Sequence, residues 1–352
     1  MSVTKSLTQC LTVNKSSLRR AQIPHRTWQI RRFRIGTFVH IRRPHEGRNF
    51  FMYAPRHIER EILLALYRYS LLTSEHLSTL LHYEQNTIYN AFHTLKQKRW
   101  VEQLPLTFVQ KNVKGWTLSK DGMEVAFGLT KEYRIRLLRR TNVAIGQTTH
   151  LYGSNRFFIH LIRESRSRSA YEGLVDWIGM RDSGDRYPVF DAKGKKSTPL
   201  RPDGIGAYRF EDGRETVFHV EYDTGSEHLW VLHHKLWQYA DTLKGFWDDV
   251  SLANVLFITR DINRSMRIME LWQDIRDDAF RRQPVPTVWT TTESALNENG
   301  VFASVWNGVS DDRVSFSDFP RLHGTPDDSR VPLGKQIREQ PFPNTMKKVD
   351  KS

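Results

Sequence analysis

The sequence has a single cysteine, Cys10, among its 352 residues. One cysteine cannot form an internal disulfide or a zinc cluster, and such sparse use suits a reducing compartment. No apolar run approaches the ~20 residues that span a bilayer, and the N-terminus lacks the apolar segment of a signal peptide. The GxxxxGK[ST] phosphate loop of ATP-driven motors is also absent. We therefore expect a soluble, cytoplasmic protein with no membrane partner.

Acidic residues are scarce in the first part of the chain. Residues 1–60 hold 13 basic and 2 acidic side chains, residues 61–150 hold 12 and 7, and residues 151–352 hold 28 and 30. The formal net charge of +14 therefore belongs to the first 150 residues. This distribution indicates a polyanionic partner, with nucleic acid favoured over a membrane surface. A hydrophobic content of 39% and ten tryptophans exclude global disorder.

The chain divides into four predicted segments. Residues 1–57 form a basic arm, for which a solvated tail and one or two strands both remain open. Residues 58–130 and 149–310 form two compact units, joined by a charged connector. Residues 320–352, rich in Pro, Asp, Ser and Lys, are predicted to be a disordered tail.

The first compact unit has the element order of a winged helix-turn-helix. Its periodicities predict helices over 58–69, 74–81 and 86–99, strands over 101–104 and 108–110, a basic turn at 112–115, a strand over 116–118 and a helix opening at 119–122. Three helices followed by a hairpin are typical of DNA-binding winged helices. A role in protein–protein interaction is the alternative.

The third predicted helix would enter the major groove of DNA. Ile88, Phe92 and Leu95 fix its buried face, which leaves amide, hydroxyl, aromatic and basic side chains outward. These types are suited to reading base edges and binding phosphates. The candidate DNA contacts are Gln85, Thr87, Tyr89, Asn90, His93, Lys96 and Lys98 on the helix, and Lys111 and Lys114 at the wing tip.

The second compact unit alternates helices and strands. The predicted elements are a helix over 149–163, strands over 174–178, 204–210 and 216–222, a helix over 228–245, a strand over 255–259, a helix over 264–280 and a strand over 287–290. The order helix, three strands, helix, strand indicates an α/β core built around a mixed sheet.

Carboxylates mark the candidate reactive site in this second unit. Asp203 opens one strand, and the next strand alternates so that His219, Glu221 and Asp223 share one face. Such hard oxygen ligands suit Mg²⁺ or Mn²⁺, which would activate water and offset charge on a phosphodiester. Lys235 on the following helix would stabilise the transition state. Alternatively, Asp203 caps a turn, the other acids are solvated or salt-bridged, and the lysine is a surface residue.

The runs Pro202-Asp203, His219-Val220-Glu221-Tyr222-Asp223-Thr224-Gly225 and Lys235-Leu236-Trp237-Gln238-Tyr239 resemble the replication-relaxation family of plasmid and mobile-element proteins. The resemblance extends over about residues 58–308 and also includes Thr149-His150-Leu151, Val255–Thr259, Trp289–Glu293 and Val305-Trp306. It implies a winged helix joined to a PD-(D/E)xK-like nuclease fold, related to nuclease-like mobilisation relaxases.

The resemblance also implies roles for individual residues. Asp203 and Glu221 would be catalytic metal ligands, Asp223 a third ligand, and Lys235 the migrated catalytic lysine. The resemblance also includes His150 at a helix start, and His219 and Tyr239 are further candidates for support of the site. Tyr239 packing against the sheet is favoured over Tyr239 as a covalent nucleophile, and the sequence has no His-x-His pair of the tyrosine-dependent relaxases. A (D/E)xK motif would place lysine where this chain has Asp223, so cleavage depends on Lys235 reaching back from its helix.

The implied function is site-specific binding of duplex DNA at a plasmid or element origin and Mg²⁺- or Mn²⁺-dependent nicking of one strand, in replication or mobilisation. Two alternatives remain open. One is a non-enzymatic DNA-binding replication or regulatory protein with a degenerate nuclease fold, and the other is a toxin-like or restriction nuclease. A homodimer and other replication or conjugation proteins are further partner hypotheses.

Overall fold

The computed structural model describes residues 54–110, 112–130, 145–190, 194, 196–197, 200–281, 283–310 and 312–322. These residues belong to one compact unit. Residues 1–53 of the predicted arm, residues 131–144 of the connector, Lys111 and the tail beyond residue 322 lie outside the described residues. Within the described ranges, no helix is both long and apolar enough to cross a bilayer.

The N-terminal elements follow the predicted order of three helices and a hairpin. They are α1 (His57–Tyr69), β1 (Leu72–Thr73), α2 (Ser74–Leu81), α3 (Gln85–Gln97), β2 (Val101–Pro105), β3 (Lys114–Leu118) and α4 (Lys120–Thr130). The three strands form an antiparallel sheet in the order β1-β3-β2. Thr73 begins α2 because its hydroxyl accepts a hydrogen bond from the His76 amide at 3.1 Å. Ser119 begins α4 in the same way, accepting from the Gly122 amide at 3.0 Å.

The predicted strand over 108–110 is wrong. These residues belong to the turn of the β2–β3 hairpin, since β2 ends at Pro105 and the Val109 amide donates to the Leu106 carbonyl at 2.9 Å. Phe108 made the segment resemble a strand, but its ring packs edge-on against Tyr152 with centroids 5.8 Å apart. An apolar residue that packs outside a ladder gives the same sequence signal as one inside it.

A seven-stranded mixed sheet forms the second part. Its elements are α5 (Thr148–Arg168), β4 (Gly173–Gly179), α6 (Met180–Ser183), β5 (Val189–Phe190), β6 (Lys196–Ser197), β7 (Gly204–Arg209), β8 (Glu215–Asp223), α7 (Leu229–Leu243), β9 (Ala253–Thr259), α8 (Ile262–Ile275), β10 (Thr287–Thr292), α9 (Glu293–Asn299), β11 (Trp306–Asn307) and β12 (Arg313–Val314). The strand order is β12-β11-β10-β9-β8-β7-β4, in which β8, β9 and β10 are mutually parallel. The predicted mixed α/β architecture is therefore confirmed.

Strand β8 lies in the middle of this sheet, and both of its faces are buried. On one face, Phe218 packs against Phe157 and Phe158 of α5. The other face lies beneath α7, where the Tyr239 ring makes an edge contact with His219 at 5.8 Å. Glu221, on that second face, is therefore held between the sheet and a helix.

The helical and sheet segments share a hydrophobic core. Tyr69 at the end of α1 stacks on Trp177 of β4 at 3.7 Å, and Asn155 of α5 donates to the carbonyls of Tyr69 and Leu71 at 2.9 and 2.8 Å. The predicted boundaries of two separate units stay a prediction.

The C-terminal end of the described chain packs against the sheet. Residues 320–322, assigned by the sequence to a disordered tail, lie beside β8. The Pro320 carbonyl accepts from the Thr216 hydroxyl at 2.8 Å, and the Leu322 amide donates to the Glu215 carbonyl at 2.7 Å. The predicted tail therefore begins too early.

Candidate functional site

The pairing of β7 with β8 brings two carboxylates together. The antiparallel register joins Gly204 to Val220, so Asp203 lies opposite Glu221 at the end of the pair. The Asp203 carboxylate accepts a hydrogen bond from the Tyr222 amide at 2.9 Å. Asp203 is 8% exposed and Glu221 3% exposed. Buried carboxylates are costly unless they are paired, which makes this end of the sheet a candidate functional site.

Helix α7 supplies two partners for Glu221. The Tyr239 hydroxyl donates to Glu221 Oε1 at 2.6 Å, and Lys235 Nζ donates to Glu221 Oε2 at 3.3 Å. The two residues are four positions apart, so they lie one above the other on the helix. Lys235 Nζ also lies 3.2 Å from Glu227 Oε2. Lys235 therefore reaches back from its helix to the carboxylate pair.

Burial and neighbouring charges shift the pKa values of Glu221, Tyr239 and Lys235. Burial, with the negative charge of Asp203 added, raises the pKa of Glu221 to about 7 against the effect of Lys235. Burial also raises the pKa of Tyr239 well above its ordinary value. Burial lowers the pKa of Lys235, but the negative charges of Glu221 and Glu227 outweigh burial and raise this pKa above its ordinary value. At neutral pH Lys235 is thus a cation.

Asp223, which the sequence analysis names as a third metal ligand, is paired elsewhere and does not belong to the carboxylate pair of Asp203 and Glu221. It pairs with Arg264 of α8, whose Nε lies 2.6 Å from Asp223 Oδ2, and it accepts from the Gly225 amide at 3.0 Å. Arg264 also donates to the Glu227 carbonyl at 2.6 Å, which ties α8 to the segment after β8. In the part of the chain that the structure describes, no three His, Cys, Asp or Glu side chains form a group that could hold a metal ion.

The donor set that remains is two carboxylates. Mg²⁺ commonly keeps several waters and binds protein through one or two carboxylates, so Asp203 and Glu221 fit such an ion. The pKa of Glu221 is raised chiefly by burial, and the charge of Asp203 adds to that effect while Lys235 opposes it. A divalent cation held by the two carboxylates would favour their charged forms.

The two histidines expected to support the site differ in position. His150, in the first turn of α5, places Nδ1 3.5 Å from Asp203 Oδ2, and the interaction with Asp203 raises the pKa of His150. His219 is fully buried, donates from Nδ1 to the Asn254 carbonyl at 3.0 Å and accepts from the Tyr187 hydroxyl at 2.6 Å. Burial lowers the pKa of His219 to about 4, so it is a neutral core residue. Its ring packs beneath the Tyr239 ring.

Sequence reasoning missed a polar group at the same edge of the sheet. The Tyr222 hydroxyl donates to Glu293 Oε2 at 2.7 Å, and Arg156 Nη1 lies 2.6 Å from Glu293 Oε1. Arg260 Nε approaches the Tyr222 hydroxyl at 3.4 Å. Arg260 directly follows β9 and Glu293 directly follows β10, and the carboxyl ends of parallel strands meet at one edge. Because of this rule, the positions of Arg260 and Glu293 just after two predicted strands could have identified them from the sequence.

Helix α3 carries most of the side chains that the sequence predicts to contact DNA. Ile88, Phe92 and Leu95 are buried. The exposed side chains are Gln85, Thr87, Tyr89, Asn90, His93 and Lys96 on the helix and Lys114 at the start of β3. Lys98 differs from expectation, because its Nζ lies 3.4 Å from the buried carboxylate of Glu59 and 5.1 Å from the Trp100 ring centroid. Lys98 therefore pairs with Glu59 of α1, whereas the sequence predicts that it faces outward to DNA.

Comparison with known protein families matches residues 63–250 to the replication-relaxation family, which is more than half of the chain. The chain belongs to the replication-relaxation family. The part of this replication-relaxation protein that matches contains α3 and the group Asp203, Glu221, Lys235 and Tyr239.

Two further comparisons add little to the family assignment. No curated protein matches the chain. Among solved structures, a cysteine-to-serine mutant of MarR from E. coli in complex with operator DNA is similar at 20% identity, over 28% of this chain and 71% of that chain. The TM-score is 0.19, a value at which the similarity carries no argument about fold or function.

Proposed function

We propose that this replication-relaxation protein binds DNA site-specifically at a plasmid or mobile-element origin and nicks one strand with the help of Mg²⁺ or Mn²⁺. The observation that carries the proposal is the buried pair Asp203 and Glu221, with Lys235 Nζ 3.3 Å from Glu221. A carboxylate pair with a nearby cation is suited to phosphodiester hydrolysis, because the acids hold a divalent ion and the cation stabilises charge on the phosphate.

The topology supports a PD-(D/E)xK-like fold for the second part. Helix α5, antiparallel strands β4, β7 and β8, helix α7 and parallel strand β9 follow one another around the sheet. One acid, Asp203, directly precedes β7, the other, Glu221, lies in β8, and the lysine comes from α7 rather than from position 223. This arrangement agrees with the migrated lysine that the sequence resemblance implies.

Each side chain has a defined chemical task in the proposal. A bound divalent ion would act as a Lewis acid and activate water, with Asp203 and Glu221 as its protein ligands. Lys235, protonated at neutral pH, would stabilise the negative charge that develops on the phosphate. Tyr239 orients Glu221 by its 2.6 Å hydrogen bond. Because the pKa of Tyr239 is raised well above normal and its ring is buried, hydrolysis is favoured over attack by tyrosine.

Helix α3 would select the DNA site. Its exposed face carries amides, which read adenine, and a basic residue, which binds phosphate. The surplus of basic residues in the first 150 positions supports a polyanionic partner.

The test is a nicking assay on supercoiled plasmid that carries the native origin, with Mg²⁺ or Mn²⁺. The wild-type chain is expected to produce open circles, and Asp203→Asn and Glu221→Gln are expected to abolish them. Glu270→Gln is the matched control, because Glu270 is an exposed carboxylate paired with Arg267 on α8. Nicking that survives both site variants would reject the proposal, and double-strand breaks without site preference would favour a restriction or toxin-like nuclease.

A non-enzymatic DNA-binding protein is the second candidate, and one observation favours it. Lys235 is paired with both Glu221 and Glu227, and Asp223 is paired with Arg264, so both cations are already engaged by carboxylates of the chain itself. For that candidate, origin DNA would be shifted in a gel without nicking, and the carboxylate variants would bind it as the wild type does.

A further inference from the structure

The β2–β3 hairpin packs against the start of α5. We call this hairpin, residues 101–118, the wing. Leu106 is fully buried in a small apolar cluster that includes Leu151 and Tyr152 of α5. In the turn of the hairpin, the Phe108 ring meets the Tyr152 ring edge-on, with centroids 5.8 Å apart. The wing is therefore attached to the part of the chain that carries the sheet.

Tyr152 contacts two elements of the winged-helix segment at once. The His76 ring of α2 stacks on the Tyr152 ring at 5.4 Å, while Phe108 of the wing lies against the same ring. One turn further along α5, Asn155 is 1% exposed and donates to two backbone carbonyls within residues 69–71. Separating these elements would expose aromatic surface and leave buried carbonyls unpaired, so α2, the wing and α5 form one rigid group.

The same turns of α5 reach the carboxylate pair on their other side. His150 Nδ1 lies 3.5 Å from Asp203 Oδ2, and a Cβ at Gly153 would lie 2.3 Å from the Tyr222 ring. Tyr152 follows His150 by two residues, about 200° around the helix, so it points to the opposite side. Helix α5 therefore lies between the wing and Asp203 and separates them by about 10 Å, the diameter of one helix.

The charges along this path suit a phosphate backbone. Residues 106–118 of the wing contain two lysines and no acid, and residues 145–156 contain His150, Arg156 and no acid. Glu293, which lies beside Arg156, is paired with it at 2.6 Å. A backbone that crosses from the wing over the start of α5 therefore meets no carboxylate of these two segments before the carboxylate pair. About three base pairs of duplex, at 3.4 Å each, span the diameter of the helix.

We propose that the contact between Phe108 and Tyr152 fixes the position of the nick. It holds the wing beside the carboxylate pair, so the phosphate presented to Asp203 and Glu221 lies at a constant distance from the sequence that α3 reads. Phe108 and Tyr152 are positioning residues, because they act through the wing and α5. This inference rests on the proposed nicking function and adds to it the element that selects the phosphate.

The first test changes the DNA and keeps the wild-type chain. The bases read by α3 are located by methylation interference on plasmid DNA that carries the native origin, and the nick is mapped on a denaturing gel. About five base pairs, half a helical turn, are then inserted between the two positions. The nick is expected to keep its original distance from the α3 bases and to fall on a new sequence. A nick that moves with its own sequence would overturn the proposal.

The second test changes the wing contact. Phe108 is 38% exposed, so Phe108→Ala should fold while losing the ring that meets Tyr152. The variant is expected to spread the nicks over neighbouring phosphates and to lower the share at the main phosphate by at least about two-fold. Phe108→Tyr keeps the ring and should nick as the wild type does. Tyr171→Ala is the matched control, because Tyr171 is 40% exposed and lies outside the wing. A single unchanged position in Phe108→Ala would overturn the role of this contact.

A third measurement does not depend on nicking. An iron chelate is coupled to Ser226→Cys in a Cys10→Ser background, since Ser226 is exposed and precedes Glu227, which contacts Lys235 at 3.2 Å. Hydroxyl radicals from the iron should cut origin duplex within a narrow range at a constant distance from the α3 bases, and Phe108→Ala should widen that range.

The iron cuts separate the failure of this inference from the failure of the proposed function. A narrow range of cuts by a protein that does not nick would uphold the fixed geometry while rejecting the nicking function. Cuts without a constant distance from the α3 bases would overturn the geometry even where the protein nicks. Absence of binding to the origin duplex would overturn both.

Discussion

The side chains proposed to read DNA on α3 are exposed, whereas the carboxylates proposed to act on DNA are buried. Tyr89 on α3 is 52% exposed, while Glu221 is 3% exposed and receives hydrogen bonds from both Tyr239 and Lys235. An exposed side chain can adapt to the base edge it meets. A buried carboxylate has its position and pKa fixed before substrate arrives, which is what electrostatic catalysis requires. Substitutions on the two surfaces should therefore have different consequences.

The largest effect on stability is expected from Arg264→Ala. The variant leaves the Asp223 carboxylate, whose side chain is 3% exposed, without its guanidinium partner. Breaking one side of a buried ion pair costs about 3–5 kcal/mol of unfolding free energy, measurable by urea denaturation. The control is Arg267→Ala on the same helix, whose exposed pair with Glu270 is worth less than about 1 kcal/mol. Equal losses in the two variants would show that the Asp223–Arg264 pair is not a buried structural contact.

The next effect concerns catalysis rather than stability. Lys235→Ala is expected to lower the nicking rate by about 100-fold or more, because it removes the cation beside the phosphate. Affinity for origin duplex should change little, since the proposed function assigns that contact to α3. Lys244→Ala serves as control, as Lys244 lies just after the same helix and pairs with the half-buried Asp241. Wild-type nicking by Lys235→Ala would contradict the role given to this residue.

A buried histidine tests whether burial disfavours the charged form of a side chain outside the candidate site, as it does for Glu221. Burial lowers the pKa of His76 on α2 to about 3, so the unfolded chain takes up a proton below pH 6.5 while the folded chain does not. Stability should therefore fall as the pH drops below about 6.5. His76→Gln should make this slope shallower by up to about 1.4 kcal/mol per pH unit. Identical slopes for the variant and the wild type in urea titrations would contradict the buried, neutral state of His76.

The smallest effect is expected on the exposed surface. Lys96→Ala should reduce the salt slope of duplex binding by about 1 and leave the unfolding free energy within about 0.5 kcal/mol of wild type. Lys98→Ala is the matched variant, because it removes a partner of buried Glu59. It should lower stability and leave the salt slope unchanged. A lower salt slope in Lys98→Ala together with a loss of stability in Lys96→Ala would contradict the roles assigned to these two lysines.

The sequence predicts the elements better than their contacts. Strong periodicity gives α3 and its buried residues Ile88, Phe92 and Leu95, and strict alternation puts His219, Glu221 and Asp223 on one face of β8. Alternation cannot say what covers that face. Arg264 lies 41 residues after Asp223, and the pair forms only because α8 packs beside the end of β8.

The protonation state and the partners of each residue on that face depend on which helix covers it. His219 lies beneath Tyr239 and is neutral, Glu221 lies at the carboxylate pair, and Asp223 is taken by Arg264. Equal spacing along the strand gives no information on these differences. The tertiary position of α7 and α8 decides them.

The most direct test of the central claim is the position of a metal ion. Crystals of the protein soaked in Mn²⁺ would be measured at a wavelength where manganese scatters anomalously. A peak between the carboxylates of Asp203 and Glu221 that disappears in Glu221→Gln is the expected result. A peak at Asp223, or no peak at Asp203 and Glu221 under conditions in which the protein nicks DNA, would contradict the account.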